Sequence, residues 1–211
     1  MGLKMKLMKI KPETFFKWAL IIGLLTGIFA WTVLLCGCVS YDWQCHKSPF
    51  WAKQIQIKGV PNLYKVSDDL YRSAQPTAEG MGNLKSMGIK TIVNLRAFHS
   101  DYDEMGCFDF GYERIYMKPW RPEEEDAVRF LQIVTDPAKT PVLVHCQHGA
   151  DRTGIMVALY RVAVEGWAKE VALCEMTQGG FGFHSVWNNL IGWFGELDVE
   201  GIKEKAGMIK R

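Results

Sequence analysis

The chain has 211 residues, 48% of them hydrophobic and 23% charged, with a formal net charge of +2. That length accommodates one well-buried domain plus an appendage. The charge is uneven: residues 1–18 hold Lys4, Lys6, Lys9, Lys11 and Lys17 against Glu13, a segment charge of +4, so the remainder carries −2. With the basic excess confined to one end, a nucleic-acid-binding surface is not expected.

After the basic segment comes an apolar run, residues 19–39, with no charge in it. About 20 such residues span a bilayer. Lysines ahead of the run place the N-terminus in the cytoplasm and the rest of the chain across the membrane. Two forms fit. One is an uncleaved transmembrane anchor; the other is a lipoprotein signal, because Leu35-Cys36-Gly37-Cys38 resembles a lipobox with Cys38 as the lipidated residue. Both predict a membrane-tethered, extracytoplasmic domain, periplasmic in a Gram-negative bacterium. Residues 40–58 read as a tether whose Tyr41, Trp43, Phe50 and Trp51 either sit at the headgroup level or pack on the domain.

The globular domain is expected over residues 59–211. Leu63 to Arg72 reads as a β-hairpin turning at Ser67-Asp68-Asp69. Thr77 caps a helix running to Met87, with Gly88 beyond its end and Gly80 and Gly82 weakening it. Ile89 to Leu95 is a strand with Arg96 at its exit, and Gly111 to Met117 alternates as another. Pro122 and the acidic run Glu123-Glu124-Glu125-Asp126 open a helix reaching about Thr135. A short apolar strand, 142–145, precedes a helix over 153–165; further helices are expected over 169–177 and 185–197. Strands alternating with helices predict an α/β domain with a mostly parallel central sheet flanked by helices.

The stretch that carries chemistry is Pro141-Val142-Leu143-Val144-His145-Cys146-Gln147-His148-Gly149-Ala150-Asp151-Arg152-Thr153-Gly154. A strand feeding a loop that ends at a helix N-terminus makes an anion cradle, because successive loop N–H groups and the helix dipole converge on one point. Cys146 opens that loop, where a thiolate is favoured. Arg152 closes it and can grip two oxygens of a phosphate with its planar fork.

His145-Cys146-x(5)-Arg152-Thr153-Gly154 resembles the signature loop of cysteine-dependent protein tyrosine and dual-specificity phosphatases. Leu70-Tyr71-Arg72-Ser73-Ala74-Gln75-Pro76 and Gly88 to Arg96 extend the likeness to the compact, atypical members found in bacteria, fungi and plants, over about residues 59–198. The resemblance implies a phosphatase-like fold and hydrolysis of phosphate monoesters through a phosphocysteine on Cys146. Arg152 and the backbone of Gln147, His148, Gly149, Ala150, Asp151 and Arg152 would hold the phosphate, with His145 and Thr153 in support.

The family takes its general acid from a separate upstream loop. By register with related compact phosphatases the candidate is Glu124, followed by Glu123 and Asp126, with Asp109 further off. Asp151, directly before Arg152, is a second candidate, since myotubularin-like and Sac-like lipid phosphatases carry an aspartate there. That likeness leaves phosphotyrosine proteins, inositol phosphates and phosphoinositides open as substrates.

No metal or other cofactor is expected: Arg152 would repel a cation near His145, Cys146 and His148, and no fourth ligand is suitably spaced. Expected partners are a phosphorylated protein or a small phosphate ester, and the membrane. Outside the apolar run, Cys45–Cys107 or Cys107–Cys174 can pair in an oxidising compartment. Two other functions compete: a phospho-ligand-binding pseudophosphatase, and rhodanese-like sulfur transfer, which the Arg-Thr-Gly ending disfavours.

Overall fold

A computed structural model describes Cys45 and residues 47–209. The basic segment, the apolar run 19–39 and most of residues 40–46 lie outside the described residues. Among the described residues no helix is long and apolar enough to cross a membrane.

In chain order the elements are β1 (Lys53–Gln54), β2 (Tyr64–Lys65), β3 (Leu70–Ser73), α1 (Ala78–Ser86), β4 (Thr91–Asn94), α2 (Tyr102–Met105), β5 (Gly111–Arg114), α3 (Glu124–Val134), β6 (Val142–His145), α4 (Asp151–Ala163), α5 (Lys169–Gln178), a 3-10 turn (Ser185–Trp187), α6 (Asn188–Glu196) and α7 (Val199–Lys205). The strands form one sheet in the order β1-β2-β3-β6-β4-β5. β3, β6, β4 and β5 run parallel, while β1 and β2 add an antiparallel edge through the 63–72 hairpin. The sheet is therefore mixed, with a parallel centre and one antiparallel margin.

β6 sits in the middle, and all four of its residues are buried. Alternation sends its side chains to opposite faces. Val142 and Val144 join the larger core with α3, α4, α6 and α7, and Leu143 joins a smaller one with Met81, Leu84, Ile92 and Phe110. α4 is buried nearly all round and packs on α3, α5, α6, α7 and the strands β3 and β6. This explains why its sequence shows no polar face. Gly154 permits the close approach of α4 and α5, since a Cβ there would stand 2.9 Å from Met176.

Several boundaries move. β5 stops at Arg114, three residues short of Met117, because the chain turns as the Met117 N–H donates to the Ile115 carbonyl at 2.7 Å. α4 begins at Asp151, two residues earlier than expected. The 185–197 helix is split into the 3-10 turn and α6. α2 and α7 were not anticipated; each is short, and α7 is capped by Asp198, whose side chain accepts from the Gly201 N–H at 3.1 Å.

Of the tether aromatics, Trp51 packs on the domain and Phe50 is 77% exposed, while Tyr41 and Trp43 lie outside the described residues. Trp51 is buried, β1 extends the sheet, and Cys45 is disulfide-bonded to Cys174 on α5. Neither expected pairing through Cys107 occurs; that residue is free and exposed on the loop after α2. The strap is further held by a buried ion pair: Arg161 donates to both Glu175 carboxylate oxygens at 2.7 Å, the Ala52 N–H donates to Glu175 at 2.6 Å, and Arg161 donates to the Phe50 carbonyl at 3.2 Å.

Candidate active site

The loop from Cys146 to Ala150 joins the C-terminal end of β6 to the N-terminus of α4. Its carbonyls are drawn outward one by one. The Gln147 carbonyl accepts from the Gln75 N–H at 3.2 Å, and that of His148 from the Asn62 side-chain amide at 2.9 Å. The Gly149 carbonyl accepts from Arg72 Nη2 at 2.6 Å, and that of Ala150 from the Gly154 N–H at 3.0 Å. A trans peptide plane sets its N–H opposite its C=O. The N–H groups of His148, Gly149, Ala150 and Asp151 are thus turned to the inside of the loop, and within the described residues none donates to a protein acceptor. This is an oxyanion cradle with its donors unspent.

Gly149 is what lets the loop close. Its φ is +69°, and a Cβ there would lie 2.4 Å from the Ser73 carbonyl carbon. Only glycine combines the left-handed conformation with so near a neighbour.

Cys146 is 1% exposed, at the floor end of the loop. The preceding His145 is fully buried, and its Nε2 meets Asp101 Oδ2 at 2.7 Å while Nδ1 faces the Cys146 carbonyl at 3.3 Å. Asp101 also accepts from the Gln75 and Asn94 amides at 2.9 and 3.0 Å, and the Gln75 amide oxygen accepts in turn from Arg96 at 2.8 Å. Burial by itself raises the Asp101 carboxyl, but the hydrogen bond and charge of His145, with Gln75 and His99, outweigh it and hold the group below its ordinary range.

Arg72 is fully buried on β3. Its guanidinium stacks 3.7 Å from the Phe181 ring centroid and leaves Nε and Nη1 without a partner. Burial pushes its pKa down to about 10, opposed by the charges of Glu175 and Cys146. At neutral pH a cation thus sits against the Cys146–Ala150 loop. Thr153 Oγ1 is likewise buried and without a hydrogen-bond partner.

Arg152 points back over the loop, donating to the Leu95 and Met117 carbonyls at 3.3 and 3.5 Å. It forms one wall of a cleft of about 180 Å³ with Arg96, Ala97, Phe98, Pro119, Trp120 and Gln147. Phe98 and Trp120 are 86% and 58% exposed, so the cleft has two aromatic lips over an arginine-lined base.

No carboxylate lines this cleft among the described residues. Glu124, at the start of α3, is ion-paired with Lys205. Glu123 lies 3.5 Å from Arg121, and the Asp126 carboxylate accepts from the Glu123 N–H at 3.2 Å, which caps α3. Asp109 is exposed on the loop before β5. Asp151 is buried as the first residue of α4, where it accepts from the His184 N–H at 2.9 Å and lies 3.0 Å from His184 Nδ1. It ties the catalytic loop to the glycine-rich segment 179–184. That segment is anchored again by the Asn62 amide, which donates to the Phe181 carbonyl at 3.0 Å.

The structure brings His145, Cys146, Gln147, His148, Gly149, Ala150, Asp151, Arg152 and Thr153 into one loop and its helix; Glu124 is not among the residues lining the cleft. Sequence reasoning missed Asp101, Asn62 and the work of Arg72 and Gln75. Arg72 and Gln75 lie within the Leu70–Pro76 stretch that carried the resemblance, whereas nothing local singles out Asp101.

The family described as DSP-PTPase phosphatase fused to NAD+ kinase matches residues 58–186. The dual specificity protein phosphatase TpbA of Pseudomonas aeruginosa is 34% identical over 161 residues, covering 74% of this chain and 71% of the relative. Its crystal structure superposes with a TM-score of 0.69 at 31% identity, covering 77% of this chain and 99% of that one, and a second crystal structure holds pTyr. The inositol diphosphatase DSP5 of Arabidopsis thaliana is 29% identical over 125 residues, covering 54% of this chain and 60% of the relative.

Proposed function

The chain belongs to the cysteine-dependent dual-specificity phosphatase family, and from that premise we propose that it dephosphorylates phosphotyrosine in proteins through a phosphocysteine on Cys146. The observation that carries the reading is the cradle: four consecutive loop carbonyls pulled outward, which leaves inward N–H groups between Cys146 and Arg152.

In the first step the Cys146 thiolate attacks phosphorus in line, forming an S–P bond as the ester P–O bond breaks. Arg152 and the inward N–H groups of the loop hold the equatorial oxygens as charge redistributes. In the second step water attacks phosphorus, the S–P bond breaks, and inorganic phosphate leaves with the thiolate restored. The leaving oxygen of the first step needs a proton in proportion to its basicity. A cleft without a carboxylate on its wall favours a phenolate, whose conjugate acid has a pKa of about 10, over the far more basic alkoxide of serine. The two aromatic lips, Phe98 and Trp120, suit the ring.

The same observation supports a second reading, a diphosphoinositol substrate, because an anhydride leaves as a weakly basic phosphate. Relatives named as inositol diphosphatases lend it weight.

We place the domain outside the cytoplasm on a membrane tether. The lysine-led apolar run 19–39 supports this reading, as does the Cys45–Cys174 disulfide, a bond that persists in oxidising compartments. Protease accessibility of the domain in spheroplasts tests it; protection until lysis would overturn it.

The test of the activity is phosphate release by the full-length protein, beside Cys146→Ser, on aryl phosphates of graded leaving-group basicity, a phosphotyrosine peptide, a phosphoserine peptide and an inositol diphosphate. Phosphotyrosine turnover that is lost in Cys146→Ser is expected. Rates that stay flat across the aryl series, with Asp151→Asn or Glu124→Gln making them fall with basicity, would assign that carboxylate as the acid. Turnover of the phosphoserine peptide as fast as phosphotyrosine would overturn the tyrosine preference.

A further inference from the structure

Three metal-ligating side chains meet beside the catalytic loop without lining its cleft. His148 comes from the loop itself, Asp151 from the first turn of α4, and His184 from the segment after α5. Each offers a ligand atom, and these atoms all lie within 4.8 Å of one another. We propose that His148, Asp151 and His184 bind a divalent transition-metal ion, Zn²⁺ foremost, and that the bound ion inhibits the enzyme by clamping the catalytic loop to segment 179–184.

The donor set decides the metal class. Two imidazoles and one carboxylate suit Zn²⁺, Ni²⁺ or Cu²⁺; the hard cations Ca²⁺ and Mg²⁺ prefer oxygen ligands throughout. Three protein ligands leave a fourth position for water. Zinc bonds of about 2.0–2.2 Å need ligand atoms about 3–4 Å apart. Asp151 and His184 already stand at 3.0 Å. The two rings lie 5.2 Å apart between centroids, and both residues are exposed, so rotation about their side-chain bonds can close the remaining gap.

The site is half built. Asp151 is buried and fixed by the His184 backbone N–H. The backbone on either side is pinned by Asn62, which bonds both the His148 and Phe181 carbonyls. Two arginines of the site are engaged elsewhere: Arg72 with the Gly149 carbonyl and the Phe181 ring, Arg152 with the Leu95 and Met117 carbonyls. Among the described residues the Asp151 carboxylate meets His184 and no guanidinium, so its charge is available to a cation. The zinc set weighed from sequence, His145, Cys146 and His148, is not the one assembled, because His145 and Cys146 are buried and His145 is engaged by Asp101.

Inhibition follows from where the ligands sit. His148 lies in the loop whose N–H groups would bind phosphate, and Asp151 begins the helix that follows it. An ion bonding His148 draws that side chain toward Asp151 and His184, and so shifts the loop backbone whose N–H groups must converge on the phosphate oxygens. Metal also displaces protons from the imidazoles, so acid weakens the binding.

The inhibitory part rests on the phosphatase reading; the site does not, and the experiment separates them. Zn²⁺ binding is measured by equilibrium dialysis or calorimetry on the full-length Cys146→Ser protein, which removes the thiolate as a rival ligand. About one ion per chain is expected, with affinity reduced at least tenfold in Cys146→Ser proteins also carrying His184→Gln or His148→Gln, each with its thermal melt checked. No stoichiometric binding, or binding unmoved by both histidine changes, overturns the site. In the protein with Cys146 intact, Zn²⁺ is expected to lower phosphate release, reversibly on adding EDTA, and His184→Gln to need at least tenfold more metal. Stoichiometric binding through the triad with activity unmoved overturns the clamp and leaves the site standing.

Discussion

Asp101 and His145 are 44 positions apart, and their side chains meet at 2.7 Å with neither exposed to solvent. The contact fixes the residue next to the nucleophile from a loop that shares no element with it. Through Gln75 it also reaches Arg96 on the cleft wall. One buried carboxylate thus sets the orientation of two parts of the site.

Replacing it tests this. Asp101→Asn keeps the shape but loses the ionic acceptor, and is expected to cost about 1–3 kcal/mol of stability at neutral pH. The Asp101 carboxyl is held below its ordinary range in the folded protein. A depressed folded pKa stabilises the fold fully above the unfolded value of about 3.9 and loses that contribution as pH falls through the folded one. The stability gap between the two proteins should therefore be widest near neutrality and narrow below about pH 4. Urea unfolding across that range measures it; a gap that ignores pH would mean the ionic part is unimportant.

Arg72 poses the opposite case, a buried cation that costs stability and serves the site. Its pKa is lowered to about 10 by burial. The folded protein releases this proton at lower pH than the unfolded chain, so the ionised group opposes folding at neutral pH, and the cost shrinks above about pH 10. Arg72→Met fills a similar volume without the charge, at the loss of one bond to the Gly149 carbonyl. Stability is expected to change by no more than about 1 kcal/mol, since apolar replacements of buried ions are often neutral. Phosphatase activity should fall tenfold or more, because the loop carbonyl loses its outward pull and the Cys146 charge its neighbour. Equal losses of stability and activity would make Arg72 a packing residue only.

Gly149 gives the sharpest steric test. Alanine there must adopt a φ near +69° and place its Cβ 2.4 Å from the Ser73 carbonyl carbon. The left-handed conformation alone costs about 1–2 kcal/mol, and the clash requires the loop to lift from β3. Gly149→Ala should lose at least a hundredfold in activity with a modest drop in melting temperature. Retained activity would mean that the cradle tolerates displacement.

What could be read from the sequence followed from locality. The strand 142–145, the loop and the helix behind it are contiguous, so spacing and apolar pattern suffice to place Cys146 and Arg152. The hairpin was legible for the same reason, and Thr77 marked α1, its hydroxyl accepting from the Gly80 N–H at 3.1 Å. Failures came where partners are distant. Asp101 has no periodic or motif context, and its meaning comes only from His145 across the sheet. Glu124, the acid favoured by register, pairs with Lys205 on α7, a helix too short to announce itself, and does not line the cleft, so its role rests on the Glu124→Gln measurement. The cysteines could be counted but not paired, because pairing depends on where the strap before β1 crosses α5.

That strap supplies the last prediction. The Cys45–Cys174 bridge closes a loop of 129 residues. A cross-link over so long a loop removes much of the unfolded chain's freedom and contributes about 2–5 kcal/mol. Around it Trp51 is buried, Arg161 bonds the Phe50 carbonyl, and Glu175 accepts from the Ala52 N–H. None of these groups lines the cleft. Cys174→Ser should therefore lower the melting temperature by several degrees while activity per folded molecule stays within about twofold of the parent; each kcal/mol is worth about 2–4 °C in a domain of this size. Cys107→Ser, which removes only the exposed free thiol, should leave the melting temperature unchanged. Mild reductant should lower the parent to the Cys174→Ser value and leave that variant where it was. If Cys107→Ser instead gave the large loss and Cys174→Ser none, the bridge would lie elsewhere, and the strap would be held without it by buried Trp51, the β1–β2 pairing and the bonds of Arg161 and Glu175.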